Sequence, residues 1–182
     1  MLRRGLLGGT FDRVHEGHAR LINQALEYCT HVEIWITSDD IAKTKDKRCW
    51  DWTRRRSEIE MIIKSISSDR VSFHVLHDSF GPAIEHPDAD AIICTSETLP
   101  GCEEINRIRM ENKMKSLEII VVEHVRGSDG RVISSSRIRG GSTDRSGELF
   151  VHESDFKGPR ILTPEVESML KTPYGTLHEG PE

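Results

Sequence analysis

The sequence predicts an α/β fold: a doubly wound parallel sheet of about five strands with helices between them. Two observations carry that expectation. Short apolar runs rich in β-branched residues recur along the chain, separated by stretches of helical periodicity, which is the pattern of βαβ units. At the first strand-to-helix junction, Gly8-Gly9-Thr10-Phe11-Asp12-Arg13-Val14-His15-Glu16-Gly17-His18, two glycines, a hydroxyl and two histidines come together. In an open α/β sheet such a junction is where ligands bind.

The elements follow in order. Gly5-Leu6-Leu7 is a strand that runs into Gly8 and Gly9. From Ala19 onward, Leu21, Ile22, Ala25 and Leu26 recur at helical spacing and mark one buried face. His31-Val32-Glu33-Ile34-Trp35-Ile36-Thr37 alternates and is β-branched, so it reads as a second strand. With the first strand and helix it makes a right-handed βαβ unit. Apolar periodicity stops from Ser38 to Trp52, which predicts a loop carrying Lys43, Lys45, Lys47 and Arg48. Thr53 is placed to cap the next helix, whose apolar face holds Ile59, Ile62, Ile63 and Ile66. Val71-Ser72-Phe73-His74-Val75 is a third strand. Ser79-Phe80-Gly81-Pro82 turns the chain, and a short helical piece runs to Glu85. Asp90-Ala91-Ile92-Ile93-Cys94-Thr95 is a fourth strand, apolar enough to be central.

The segment after Thr95 leads into a helix whose buried face is marked by Ile105 and Ile108. Asn106 and Arg109, three apart, share another face. Leu117-Glu118-Ile119-Ile120-Val121-Val122 is a fifth strand, and Ser128-Asp129-Gly130 is a turn. Ser134, Ser135 and Ser136 open a short helix, since serine is a strong N-cap residue. From Gly140 the pattern degrades into Gly, Ser, Asp and Arg. This predicts a first domain over residues 1–144, a linker over 145–160 and a C-terminal extension over 161–182. In that extension Thr163 at N-cap and Pro164 at N1 start a short helix.

Charged residues make up 30% of the chain and the formal net charge is −5, which argues against a nucleic-acid-binding tail or a basic membrane-binding surface. With no apolar run of membrane-spanning length and no N-terminal apolar segment, a soluble, cytoplasmic protein is expected, with no nucleic-acid or membrane partner. Cys29, Cys49, Cys94 and Cys102 lack paired spacing and read as reduced, structural thiols. His15-Glu16-Gly17-His18 does not fit the zinc helix signature, which needs its histidines four apart, and no protein metal ligands are expected.

What the first junction can hold is phosphate. Glycines let the backbone approach an anion closely, and a helix N-terminus offers free N–H groups at a positive dipole end. His15 and His18 are three apart and lie on one side of the first turn. The basic stretch after the second strand lies at a strand's C-terminal end, where it can close over an anionic substrate. Arg54, Arg55 and Arg56 crowd a helix start against its dipole, which is easier to understand with an anion nearby.

Gly9-Thr10-Phe11-Asp12, followed by His15-x-Gly17-His18, resembles the opening signature of the nucleotidyltransferase superfamily. Ile133-Ser134-Ser135-Ser136-Arg137 resembles its second signature. Ser96-Glu97-Thr98, then Gly101, then Ile105-Asn106-x-Ile108-Arg109 is similar to the archaeal type of phosphopantetheine adenylyltransferase. The resemblance implies a Rossmann-like nucleotidyltransferase fold and an enzyme that joins ATP and 4'-phosphopantetheine to give dephospho-coenzyme A and pyrophosphate, with coenzyme A itself as a further ligand. The other readings open to the sequence are an adenylyl- or cytidylyltransferase for FMN, NMN or glycerol 3-phosphate, or a nucleotide-binding regulator without turnover.

The resemblance also implies roles. His18, Thr10 and Lys43 or Lys45 are the expected catalytic residues. Gly8, Gly9, His15, His18, Ser134, Ser135, Ser136 and Arg137 bind ATP, and Thr10, Phe11, Lys43, Lys45, Asn106 and Arg109 bind the acceptor. Asp12 lies in the signature without an assigned role. Magnesium is expected to arrive with ATP, held mainly by the triphosphate and water. The acceptor is a phosphate monoester, already ionised near neutral pH, so no side-chain base is needed. At the end of the chain, Leu162-Thr163-Pro164-Glu165 and Pro173-Tyr174-Gly175-Thr176-Leu177 resemble the opening of the archaeal GTP-dependent dephospho-coenzyme A kinase family.

Overall fold

The computed structural model describes residues 1–64 and 68–150, with Met1–Phe150 forming one compact unit. Ile66 and the 161–182 extension lie outside the described residues. Five strands, β1 (Leu2–Gly9), β2 (Cys29–Thr37), β3 (Val71–Leu76), β4 (Ala91–Thr95) and β5 (Glu118–Val122), form one sheet in the order β3-β2-β1-β4-β5. Every pairing is parallel. The chain winds outward from β1 to β3, then returns past β1 to build β4 and β5. The order therefore reverses between β1 and β4, and the C-terminal ends of those strands border a crevice.

Strand alternation divides the core into two layers. Leu7, Val32, Ile34, Ile36, Ile93 and Ile120 face one side, where they meet Leu21, Ile22, Ala25 and Leu26 of α1 (Glu16–Tyr28) and Ile59 and Ile63 of α3 (Trp52–Ile63). Leu6, Ile92 and Cys94 face the other side, against Cys102 and Ile105 of α4 (Leu99–Glu111) and Ala83 and Ala89 of the preceding loop. The expected strands and long helices are present, and β4 is central and buried at Ala91–Cys94. All four cysteines are free and buried. No helix among the described residues is long and apolar enough to cross a membrane.

The structure departs from the sequence reading at element ends. The first helix begins at Glu16 rather than Ala19, because the His15 side chain caps it. The Ser38–Trp52 stretch, read as a loop, contains α2 (Asp39–Lys45). Ser38 caps that helix, its acidic residues lie in the first turn and Lys43 and Lys45 in the last, so its charges follow the dipole. Ala42 is its one buried residue, which leaves no apolar period to read. Asp51, not Thr53, caps α3, accepting from the Arg54 N–H at 2.9 Å. Residues 145–150, read as the start of a linker, belong to the compact unit: the Arg145 carbonyl accepts from the Glu16 N–H at 3.1 Å, and its guanidinium donates to Glu58 Oε1 at 2.8 Å.

Asn106 and Arg109, expected to bind the acceptor, are instead built into the scaffold. The Asn106 amide pairs with the backbone of Leu117 through both its atoms, at 2.9 and 2.8 Å, and so registers α4 against β5. Arg109 is 1% exposed and donates to the carbonyls of Ala83, His86 and Lys115 at 2.8, 3.1 and 2.8 Å. Helical spacing correctly put the two residues on one face, but that face meets protein rather than ligand. Arg109→Met keeps the stem and strips three carbonyls, that of Ala83 buried, of their donor. We expect a loss of about 2–4 kcal/mol and a melting temperature lower by roughly 5–10 °C, read by calorimetry. An unchanged melting temperature would free Arg109 for a binding role.

Candidate active site

The site starts from the turn between β1 and α1. Phe11 and Arg13 hold φ angles of 53° and 48°, left-handed values that non-glycine residues seldom take. Such strain persists only where surrounding contacts enforce it. The Phe11 ring is buried and folds back on Gly9, where an added Cβ would come within 2.9 Å of it. His15 caps α1 by accepting from the Gly17 N–H through Nδ1 at 3.1 Å, and a Cβ at Gly17 would meet the same ring at 2.9 Å. The glycine of the His-x-Gly-His motif is thus required by the capping histidine. His15 and His18 stack at 3.9 Å, with Phe11 against His18 at 5.2 Å.

Burial pushes the His15 pKa down to about 4, helped by the nearby Arg145 charge, and drives His18 well below the usual histidine value, helped by His15. Both imidazoles are neutral at physiological pH. With Nδ1 of His15 accepting, its proton lies on Nε2, which makes that atom a donor. Nδ1 of His18 is buried without a hydrogen-bond partner.

Asp12 organises what surrounds the turn. It is 1% exposed. Its Oδ1 accepts from the Trp50 N–H at 2.9 Å and from Arg13 at 3.3 Å, while Oδ2 accepts from Arg139 of α5 (Ser135–Arg139) at 2.5 Å. Its carbonyl takes the Ser135 hydroxyl at 2.5 Å. Arg139 also donates to Asp46 at 3.0 Å, just beyond α2. Arg55, fully buried, donates to the carbonyls of Thr10, Trp50 and Thr37 and to Asp39, and so pins the ends of β1 and β2 to α2 and α3. Of the arginines that crowd that helix start, it is therefore a structural clasp.

Around the turn lies a cavity of about 410 Å³, lined by Gly8, Gly9, Thr10, Phe11, His15, His18, Lys45, Ser134, Ser135 and Ser136. These ten sequence-expected residues converge. Four others do not. Lys43 is exposed on α2 and does not line the cavity, whereas Lys45 Nζ reaches Thr10 Oγ1 at 3.4 Å. Arg137 turns away to Asp129 and the Val132 carbonyl, and Arg139 lines the cavity in its place. Asn106 and Arg109 are absent from the lining, as their scaffold roles require. Thr95, Glu97, Thr98, Glu123 and His124 also line it; Glu97 and Thr98 lie in the motif after β4, and only their positions at strand ends signal the other three.

A second cavity of about 560 Å³ adjoins the first and is walled by Trp35, Ile41, Leu76, Phe80, Ala83 and Ile105. Gly8, Gly9, Lys45 and Thr98 line both. The pair can hold two ligands that meet at those four residues, one beside the histidines and serines and one in a more apolar channel.

The depressed histidines give a pH signature. Between pH 6.5 and 4 the unfolded chain binds protons at these positions that the folded chain refuses, so stability is full above about pH 6.5 and declines as pH falls towards 4. A melting curve series from pH 8 to 4 should show that decline, and His15→Gln should flatten it. An equal slope in the variant would mean that His15 titrates normally.

The profile of the cytidylyltransferase-like family matches residues 6–141. The phosphopantetheine adenylyltransferase of Methanosarcina barkeri is 42% identical over 147 residues, spanning 79% of this chain and 90% of that one. That of Methanopyrus kandleri is 39% identical over 140 residues, 76% and 89% of the two chains. Among solved structures, a protein of unknown function from Archaeoglobus fulgidus superposes with a TM-score of 0.60 at 23% identity, over 65% of this chain and 88% of that one, a likeness of fold. The chain belongs to the cytidylyltransferase-like family of nucleotidyltransferases and, within it, to the archaeal phosphopantetheine adenylyltransferases.

Proposed function

We propose that this protein transfers the adenylyl group of ATP to the phosphate of 4'-phosphopantetheine, giving dephospho-coenzyme A and pyrophosphate, and that transfer takes place where its two cavities meet. The observation that carries the placement is the shared lining of Gly8, Gly9, Lys45 and Thr98. ATP occupies the cavity beside the signature turn, with its triphosphate over His15, His18 and the Ser134–Ser136 segment. The acceptor's arm lies in the apolar channel, and its phosphate lies at Thr10 and Lys45, which are already 3.4 Å apart.

A phosphate oxygen of the acceptor attacks the α-phosphorus. The bond from that phosphorus to the oxygen bridging to the β-phosphate breaks, and pyrophosphate leaves with the electron pair. No proton has to be removed from the nucleophile, so the side chains have two tasks: alignment, and stabilisation of charge on the α-phosphate. Neutral His18 suits the second, since it can donate without carrying a charge that water would screen in the empty site. Lys45 lies at the exposed end of α2 and draws in the acceptor phosphate. Phe11 supports the His18 ring from below.

The donor set fits a magnesium ion carried by the triphosphate. No group of three or more His, Cys, Asp or Glu among the described residues is placed to hold an ion, and both oxygens of Asp12 are taken by N–H donors. An ion carried there would supply charge neutralisation on the triphosphate and pyrophosphate. The substrates are soluble metabolites, and we assign the enzyme to the cytoplasm with them.

A pyrophosphate-release assay with ATP and 4'-phosphopantetheine tests the reading. Folded protein that binds ATP and turns over only another phosphate acceptor, or none, would overturn it. His18→Ala should lower kcat by about 100-fold or more while ATP affinity changes little, since its contact strengthens in the transition state. Lys45→Ala should raise KM for 4'-phosphopantetheine by roughly tenfold or more, and Lys43→Ala should leave it unmoved. Equal effects of the two lysine variants would contradict the assignment.

A further inference from the structure

The sheet face that carries the apolar channel also carries an unusual set of polar residues. Register puts Leu6 beside Glu33 and Ser72, and Gly8 beside Trp35 and His74, all pointing to the side opposite α1. Glu33 is 4% exposed in the middle of β2, a costly place for a carboxylate unless its oxygens are satisfied. They are. Arg4 ion-pairs with Oε1, the Trp35 indole N–H donates to Oε2 at 3.1 Å, and His86 Nε2 lies 3.4 Å from the same oxygen. Hydrogen bonds from Arg4 and Trp35 outweigh burial and hold the Glu33 carboxyl below its usual range, so it is ionised.

Trp35 is fixed from two directions. Glu33 anchors its N–H edge, and His74 stacks on its ring at 4.4 Å and 18°. His74 is in turn tied to Ser72 at 3.1 Å, and Ser72 to His31 at 3.0 Å. An indole held at its edge and on one face loses little further freedom when a ligand lies against it, which is the condition for a strong contact. Trp35 lines the channel one strand away from Gly8, and Gly8 lines the junction of the two cavities.

We propose that Trp35 is the acceptor-recognising wall of this enzyme, contacting the part of the acceptor's arm next to its phosphate, and that buried Glu33 is the positioning residue that holds it. The inference rests on the placement of the acceptor in the apolar channel. The chemistry suits a slender chain of methyl groups and amides: a flat aromatic surface buries the methyls and tolerates amide faces. Glu33 touches no substrate. It acts by fixing the indole, and because Arg4 and His86 share its oxygens, the position of the wall is tied to β1 and to the loop before β4.

Steady-state kinetics on the full chain test this. Trp35→Ala should raise KM for 4'-phosphopantetheine roughly tenfold or more while KM for ATP stays within about twofold. Trp35→Phe keeps a flat ring and should recover most of that loss. Glu33→Gln keeps the shape but leaves one acceptor oxygen for the two donors, Arg4 and Trp35, and should raise the same KM about threefold. In the Trp35→Phe background, where no indole N–H exists, Glu33→Gln should add nothing. An acceptor KM unmoved by Trp35→Ala, an equal rise for ATP, or a Glu33→Gln effect that persists in full beside Trp35→Phe would each overturn the proposal. In all three outcomes wild-type turnover stands, and with it the assigned reaction. Wild-type protein that does not use 4'-phosphopantetheine removes the reaction and this inference together.

Discussion

One buried carboxylate sets the geometry on which the rest of the site depends. Asp12 sits between three segments far apart in sequence: the signature turn that contains it, the stretch after α2 that supplies the Trp50 N–H, and α5, which supplies Arg139 and the Ser135 hydroxyl. A charge this deep is tolerated only with full compensation, and removing one partner of such a pair is far costlier than never burying it. Asp12 accepts from three N–H donors, the Trp50 backbone and the guanidiniums of Arg13 and Arg139, the last at 2.5 Å. Through Arg139 the tie reaches Asp46, one residue beyond Lys45. Ser135 and Lys45, on opposite sides of the cavity's turn, are therefore linked through a chain of hydrogen bonds and ion pairs.

The same turn shows how backbone strain and burial serve the chemistry. Two left-handed non-glycine residues and two glycines under aromatic rings compress the chain so that Phe11, His15 and His18 pile up beside the first cavity. Piling them up dehydrates them, and dehydration keeps both imidazoles neutral. A neutral histidine lining the cavity is a preorganised donor for an anion that gains charge during reaction. A reaction whose nucleophile is already ionised needs that kind of group more than it needs a base.

Much of this was legible in the sequence, for identifiable reasons. The sheet follows from alternation and β-branching, and the ligand site from a glycine pair at a strand-to-helix junction. Gly8, Thr10, His15, His18 and the serines were legible because they are contiguous with those signals. Asp12, Arg139, Arg55 and Trp35 were not assigned, because each works through partners tens of residues away, and spacing carries no record of them. The same limit explains the errors. Asn106 and Arg109 share a helix face, but periodicity cannot say that Ala83, His86 and Leu117 fill the space in front of it. Arg137 lies in the signature, while Arg139, two residues on, turns to Asp12 and the cavity. Lys43 and Lys45 looked equivalent in a supposed loop, and it is the helix, α2, that puts one beside Thr10 and the other in solvent.

On the proposed function, the Asp12–Arg139 pair holds the two cavities in register for transfer. Single-turnover adenylyl transfer in Asp12→Asn, Arg139→Lys and the double variant, at saturating ATP and 4'-phosphopantetheine, measures it most directly. The pair acting as one unit predicts that each single change slows transfer by about 100-fold and that the double variant is little slower than either. Losses that multiply in the double variant, or single variants that transfer at the wild-type rate, would contradict it.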